Sequence, residues 1–218
     1  MKKSLLILSL TLLFVGCDMS SSGVAEAERE LEERAIQEEI DDYRRTLPIT
    51  DLNHPEYVLP QDPGSAGKDE LLGIDSNDNG IRDDVEIYIY NRYKNEPNHK
   101  RVLIAIASQY AKATQKILVD PKNAYDNETY KIMDNAGDCK WYFYDKHDEQ
   151  SNLKSYELVQ FSINNNPYDE KLKDKIYNTK ERIQEKFKYE ESLGGKIYPD
   201  TSHDLIKCET NLDKLGEI

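Results

Sequence analysis

Residues 73–86, GIDSNDNGIRDDVE, crowd oxygen-bearing side chains into one short loop. Numbered from Asp75, the run places Asp75 first, Asn77 third, Asn79 fifth, Gly80 sixth, the main-chain carbonyl of Ile81 seventh, Asp83 ninth and Glu86 twelfth. A calcium ion takes six to eight hard oxygens, and this spacing wraps a chain around one. Gly80 permits the sharp turn, and Glu86, arriving from the first turn of a following helix, can deliver two oxygens at once. The competing expectation is a metal-free turn with a helix N-cap, since Asn, Asp and Gly favour turns in any case. Turn preference alone requires neither an acid at the ninth position nor a glutamate at the twelfth.

Those positions resemble an EF-hand loop, with two departures. An EF-hand carries its aliphatic residue at the eighth position, where it pairs with a second hand; here Arg82 stands there and Ile81 stands before it. Gly73 lies two residues ahead of the loop, and KDELL (68–72) is too short for a good entering helix. In both respects the loop is more similar to the acidic loops of thrombospondin type 3 repeats and other solitary calcium loops of extracellular proteins. The resemblance covers about 14 residues, and it implies a metal site without implying the rest of the fold. The chain as a whole, with its Gly-rich approach to the loop and helices after it, also resembles uncharacterised bacterial lipoproteins.

No other constellation of catalytic type stands out. His54, His99, His147 and His203 are scattered, with no HExxH and no Cys/His pairing of zinc type. A GxSxG elbow and a phosphate-cradling glycine loop are both missing from the sequence. With 42 acidic residues, a carboxylate pair for glycoside hydrolysis can always be imagined, so abundance gives it no weight. Asn127-Glu128-Thr129 matches a glycosylation acceptor, which is incidental in a bacterial lipoprotein.

The elements that would hold the loop begin with an address. MKKSLLILSLTLLFVGC has two lysines, an apolar run from Leu5 to Val15, then Gly16 and Cys17. Such a run is too short for a stable bilayer span, which needs about 20 residues, and has the layout of an export signal. Phe14-Val15-Gly16-Cys17 resembles the bacterial lipobox, departing from it at Phe14, where the family usually has leucine. That resemblance implies cleavage before Cys17 and lipidation of its thiol, and Asp18 resembles an inner-membrane retention signal if the source is Gram-negative. Losing Lys2 and Lys3 with segment 1–16 takes the formal charge from −13 to −15. An acidic chain of this kind is repelled by nucleic acid and by anionic lipid, so membrane attachment must come from acyl chains. With Cys17 lipidated, Cys139 and Cys208 remain as an even pair in an oxidising compartment, where a disulfide is expected.

The fold class expected is all-α: a bundle of about five helices behind an extended N-terminal arm. Segment 17–50 reads as a lipidated tether and an acidic spacer helix, its apolar stripe no thicker than Leu31, Ala35 and Ile40. Segment 51–74, rich in Pro and Gly, reads as an extended connector, and 75–218 as a helical domain opening with the loop. Within it, Leu103, Ile106, Ala107, Tyr110, Thr114, Ile117 and Leu118 fall at core-facing helical spacing between Pro97 and Pro121. Ile132, Ala136, Cys139 and Phe143 share another face, turning Cys139 inward. A third pattern joins Leu172, Ile176, Thr179, Ile183 and Phe187 into one helix stopped by Gly194 and Gly195. The tail has no clear period, and Cys208 would pin it to the body. Helical aromatics such as Tyr88, Tyr90, Tyr93, Trp141, Tyr142 and Tyr144 are expected to bury a ring and leave the polar tip wet, a ligand-stacking aromatic patch being the alternative.

The function expected is that of a membrane-anchored, calcium-stabilised lipoprotein of the cell envelope, non-enzymatic and binding a protein or other envelope component. One alternative is an inhibitor or immunity-type protein blocking an envelope-acting enzyme or toxin, for which an acidic surface suits a basic target. The other is a cell-wall or polysaccharide-acting enzyme.

Overall fold

The computed structural model describes residues 58–197 and 208–217, together with scattered positions between 26 and 42. Cys17, Asp18 and the export segment lie outside the described residues, as do Ile40, His54 and His203. Among the described residues no helix is long and apolar enough to cross a membrane.

The chain forms two compact units, Met1–Glu38 and Glu39–Ile218. In the first, the described positions from 26 to 38 are helical and mostly exposed, Leu31 among them. Arg34 Nη2 lies 3.9 Å from a Glu30 carboxylate oxygen one turn earlier, a contact that adds a few tenths of a kcal/mol at most in water.

The second unit is built of helices joined by loops, with no strand among the described residues. Its helices are α1 (Asp83–Tyr93), α2 (Lys100–Ile117), α3 (Tyr130–Ser151), α4 (Ser155–Asn164), α5 (Glu170–Ile176) and α6 (Lys180–Leu193), with short 3₁₀ turns at Gly64–Lys68, Pro121–Asn123 and Leu212–Leu215. The all-α expectation holds. α2 is the central helix: α1 and α3 pack against it, and all seven core positions expected from its spacing are buried. Ala136, Cys139 and Phe143 of α3 are buried too.

The patternless tail is a strap. Cys208 is bonded to Cys139, and Leu212 and Leu215 enter the core. Tyr142 donates to Asp213 at 2.6 Å, Arg101 Nη1 donates to the Leu215 carbonyl at 2.8 Å, and Lys112 meets Glu209 at 2.8 Å. Three buried apolar positions, Cys208, Leu212 and Leu215, are too few to establish a period, so their burial was not legible from spacing.

The single helix expected across 170–193 is two. α5 stops at Ile176 because Arg82 takes its last carbonyls, Lys175 and Ile176. α6 restarts after Thr179, whose hydroxyl accepts from the Arg182 amide at 3.2 Å, a standard N-cap. The break resets the phase: Leu172 and Ile176 stay buried, but Ile183 and Phe187 turn outward and Arg182 turns inward. Trp141 also departs from expectation, being 58% exposed while its neighbours Tyr142 and Tyr144 are buried.

Candidate metal centre

The loop is built by main-chain turns that its own side chains hold. Asp78 and Gly80 both adopt positive φ, +54° and +84°, which reverses the chain. Asp75 accepts the Asn79 amide at 3.1 Å and the Gly80 amide at 2.7 Å, and Asn79 accepts the Ile81 amide at 2.8 Å. Asp83 accepts the Ser76 amide at 2.9 Å, and its own amide donates to the Ile74 carbonyl at 2.8 Å, closing the base of the loop.

Glu86 is the decisive side chain. It is 2% exposed, and Asn77 Nδ2 donates to its Oε2 at 3.2 Å, but Oε1 is buried without a hydrogen-bond partner. Burial pushes its carboxyl up to about 7, against the pull of the Lys112 ammonium. A buried carboxylate oxygen left unpaired costs more than the typical net gain of a made hydrogen bond. A cation in the loop would remove that cost.

Fit to calcium rests on the donor set. Among the described residues, no three His, Cys, Asp or Glu side chains form a ready-made metal cluster. A calcium shell would have to combine the carboxylates of Asp75, Asp83 and Glu86 with the amide oxygens of Asn77 and Asn79 and the Ile81 carbonyl. An all-oxygen set of mixed charge on one short segment suits a hard cation of variable coordination and suits zinc poorly.

Sequence reasoning treated Arg82 as a departure without a role. It is 1% exposed, clamps Asp84 through Nε at 2.7 Å and Nη2 at 3.2 Å, and caps the carbonyl end of α5. Burial raises the Asp84 carboxyl, but Arg82 and then Lys175 outweigh it and hold the group below its ordinary value. Arg182, fully buried, reaches the carbonyls of Gly67, Glu70 and Leu71 at 2.7, 2.9 and 2.9 Å. Burial, with Arg82 second, lowers its guanidinium to about 10. Asn178 joins the two arginines and donates to Asp84 at 3.3 Å. Gly73 is explained by the same cluster: a Cβ there would stand 2.4 Å from Arg82 Cδ and 2.9 Å from Arg182 Nη2. The network anchors both ends of the solitary loop, a task that a second hand performs elsewhere.

The histidines are not wholly scattered. His99 and His147 lie 5.3 Å apart between centroids, in a nest with Phe143 and Phe161. Desolvation, then the neighbouring His99, lowers His147. Comparison with known protein families, curated proteins and solved structures finds no match.

Proposed function

We propose that the protein is a lipid-anchored envelope protein whose helical body is braced by one calcium ion and serves a non-enzymatic binding role. The supporting observation is Glu86: a buried, partnerless carboxylate oxygen at the twelfth position of a loop whose other oxygens have the calcium spacing. The anchor is the Cys17 thiol, on the resemblance of residues 14–17 to a lipobox, and the body then stands at the outer side of the inner membrane if the source is Gram-negative. The ion is a brace: it would fix the direction in which α1 leaves the arm, between the Arg82 cluster on one side and Lys112 on the other.

Three acidic ligands and no partner hand suit an affinity near the ~10⁻⁴ to 10⁻³ M of extracellular modules. At that strength the site is filled outside the cytoplasm and empties only when calcium is removed. Thermal melts in calcium and in chelator test the reading. Calcium at about 100 times its dissociation constant should add roughly 2.7 kcal/mol, magnesium far less. Equal melting temperatures in both buffers, with no heat of binding to millimolar calcium, would reduce the loop to a turn.

A further inference from the structure

A cleft of about 590 Å³ opens between α3, α5 and α6, within the roughly 300–1,000 Å³ of small-molecule sites. One face of α3 forms its wall: Asp134, Gly137, Asp138 and Trp141 recur at the helical i, i+3, i+4, i+7 spacing. Opposite stand Tyr168 and Tyr177, with Lys173 and Lys186.

Gly137 has no explanation within the protein. It lies inside a helix, where glycine costs about 1 kcal/mol relative to alanine, and a Cβ added to it meets nothing within 4 Å. Its conformation does not require glycine either, since it is not among the positive-φ residues. Beside it, Trp141 leaves its ring largely exposed although α3 has a buried face to offer. A bare patch of helix next to an indole that stays 58% exposed beside Lys140 and Tyr144 allows a flat ligand to approach the backbone closely.

Charge narrows the ligand. A cation would meet ammoniums already seated on the rings: Lys140 Nζ lies 4.6 Å from the Tyr168 centroid and 5.3 Å from Trp141, and Lys186 Nζ 5.7 Å from Tyr177. An anion would meet Asp134, Asp138, Glu170 and Glu190, the last two already paired with Lys173 at 2.7 Å and Lys186 at 3.0 Å. A wholly apolar ligand would desolvate these charged groups and offer none of them a hydrogen bond. A neutral polyhydroxylated ligand uses both kinds, its hydroxyls donating to carboxylates and accepting from ammoniums. Its C–H face meets the electron-rich face of an aromatic ring.

We infer that the cleft between α3, α5 and α6 is a saccharide-binding site, with Trp141 as stacking platform and Gly137 as the point of closest approach. This rests on the binding role proposed above, but on neither the calcium loop nor the acyl anchor. It names the envelope glycans as the class of component bound.

Trp141 is the chain's single tryptophan, so its fluorescence reports the cleft directly. The full-length protein, in a detergent without sugar head groups, is titrated with chitotriose, cellotriose and maltotriose, and separately with spermidine. A saturable change in emission with at least one trisaccharide below about 10 mM is expected, with Gly137→Leu weakening it by about tenfold or more. Because a Cβ added there meets nothing within 4 Å and leucine is the better helix former, the variant should melt no lower than wild type. No saturation with any trisaccharide, saturation with spermidine alone, or binding indifferent to Gly137→Leu overturns the assignment. Release of reducing ends would keep the ligand class and overturn the non-enzymatic reading. An envelope protein captured equally by wild type and Gly137→Leu would keep the binding role while removing the cleft from it.

Discussion

Glu86 holds its proton to a higher pH folded than unfolded, which gives the proposed calcium brace a pH signature. Burial lifts its carboxyl from an ordinary 4.5 to about 7, so between those values the metal-free folded state carries a proton the unfolded chain has released. Stability contributed by this group is therefore present below about 4.5 and lost as pH rises toward 7, by an amount on the order of 3 kcal/mol at most. Calcium inverts the demand, because it needs the carboxylate. The gain in melting temperature on adding calcium should thus be larger at pH 7.5 than at pH 5. In Glu86→Gln both the calcium gain and the Glu86 part of the chelator pH dependence should disappear. A calcium gain unchanged between the two pH values would show that Glu86 does not ligate. The buried arginines predict a separate loss. Arg182→Leu strips hydrogen bonds from three main-chain carbonyls of the 67–71 segment and leaves Asp84 with one fewer cation nearby. Breaking such a buried polar cluster from one side costs about 3–5 kcal/mol, read as a shift in urea midpoint. Lys131→Ala, at the exposed pair with Glu128, should cost less than about 1 kcal/mol.

At the scale of elements, helices whose burial follows from apolar spacing were legible and those held by polar groups were not. α2 buries every residue that its spacing nominates because nothing interrupts it between Pro97 and Pro121. The α5 to α6 segment failed the same test because Arg82, far away in sequence, ends α5 through its carbonyls. No local pattern announces a partner 94 residues distant. In the candidate site the ligand spacing was visible, since it is local, whereas the arginine cluster that anchors it was not. Trp141 was misread for the opposite reason: a buried ring is expected of a helical aromatic, but this one is 58% exposed and lines a cleft. The tail strap supplies the prediction at this scale. Its disulfide closes a separation of 69 residues, which in the chain-entropy model is worth roughly 4 kcal/mol. Cys139→Ser with Cys208→Ser should therefore lower stability by up to that amount. The remaining bonds from Arg101, Lys112 and Tyr142 keep the strap docked, so far-ultraviolet ellipticity should barely change. Loss of helix content would mean that the strap depends on the covalent link.

The whole molecule carries a charge that constrains how it meets a membrane. With a formal charge of −13, and −15 once Lys2 and Lys3 are removed, the body is repelled by anionic lipid head groups and gains nothing from a basic patch. Among the described residues no helix offers an apolar span. On the lipid-anchored reading proposed above, attachment would fall on Cys17, whose thiol would carry a diacylglycerol group. One acyl chain holds a protein marginally, and two or more hold it stably, at about 0.8 kcal/mol for each buried CH₂. Cys17→Ser removes every chain in one step and leaves the helical body untouched. The variant should appear wholly in the soluble fraction, with the melting temperature and calcium response of the parent. The parent should stay with membranes through high salt, which screens surface charge, and through carbonate. Salt is the arm that separates mechanisms: release of the parent by salt alone would mean ionic attachment, which its own charge makes unfavourable. Sedimentation of Cys17→Ser after both washes would place the anchor elsewhere in the chain and remove the lipoprotein reading.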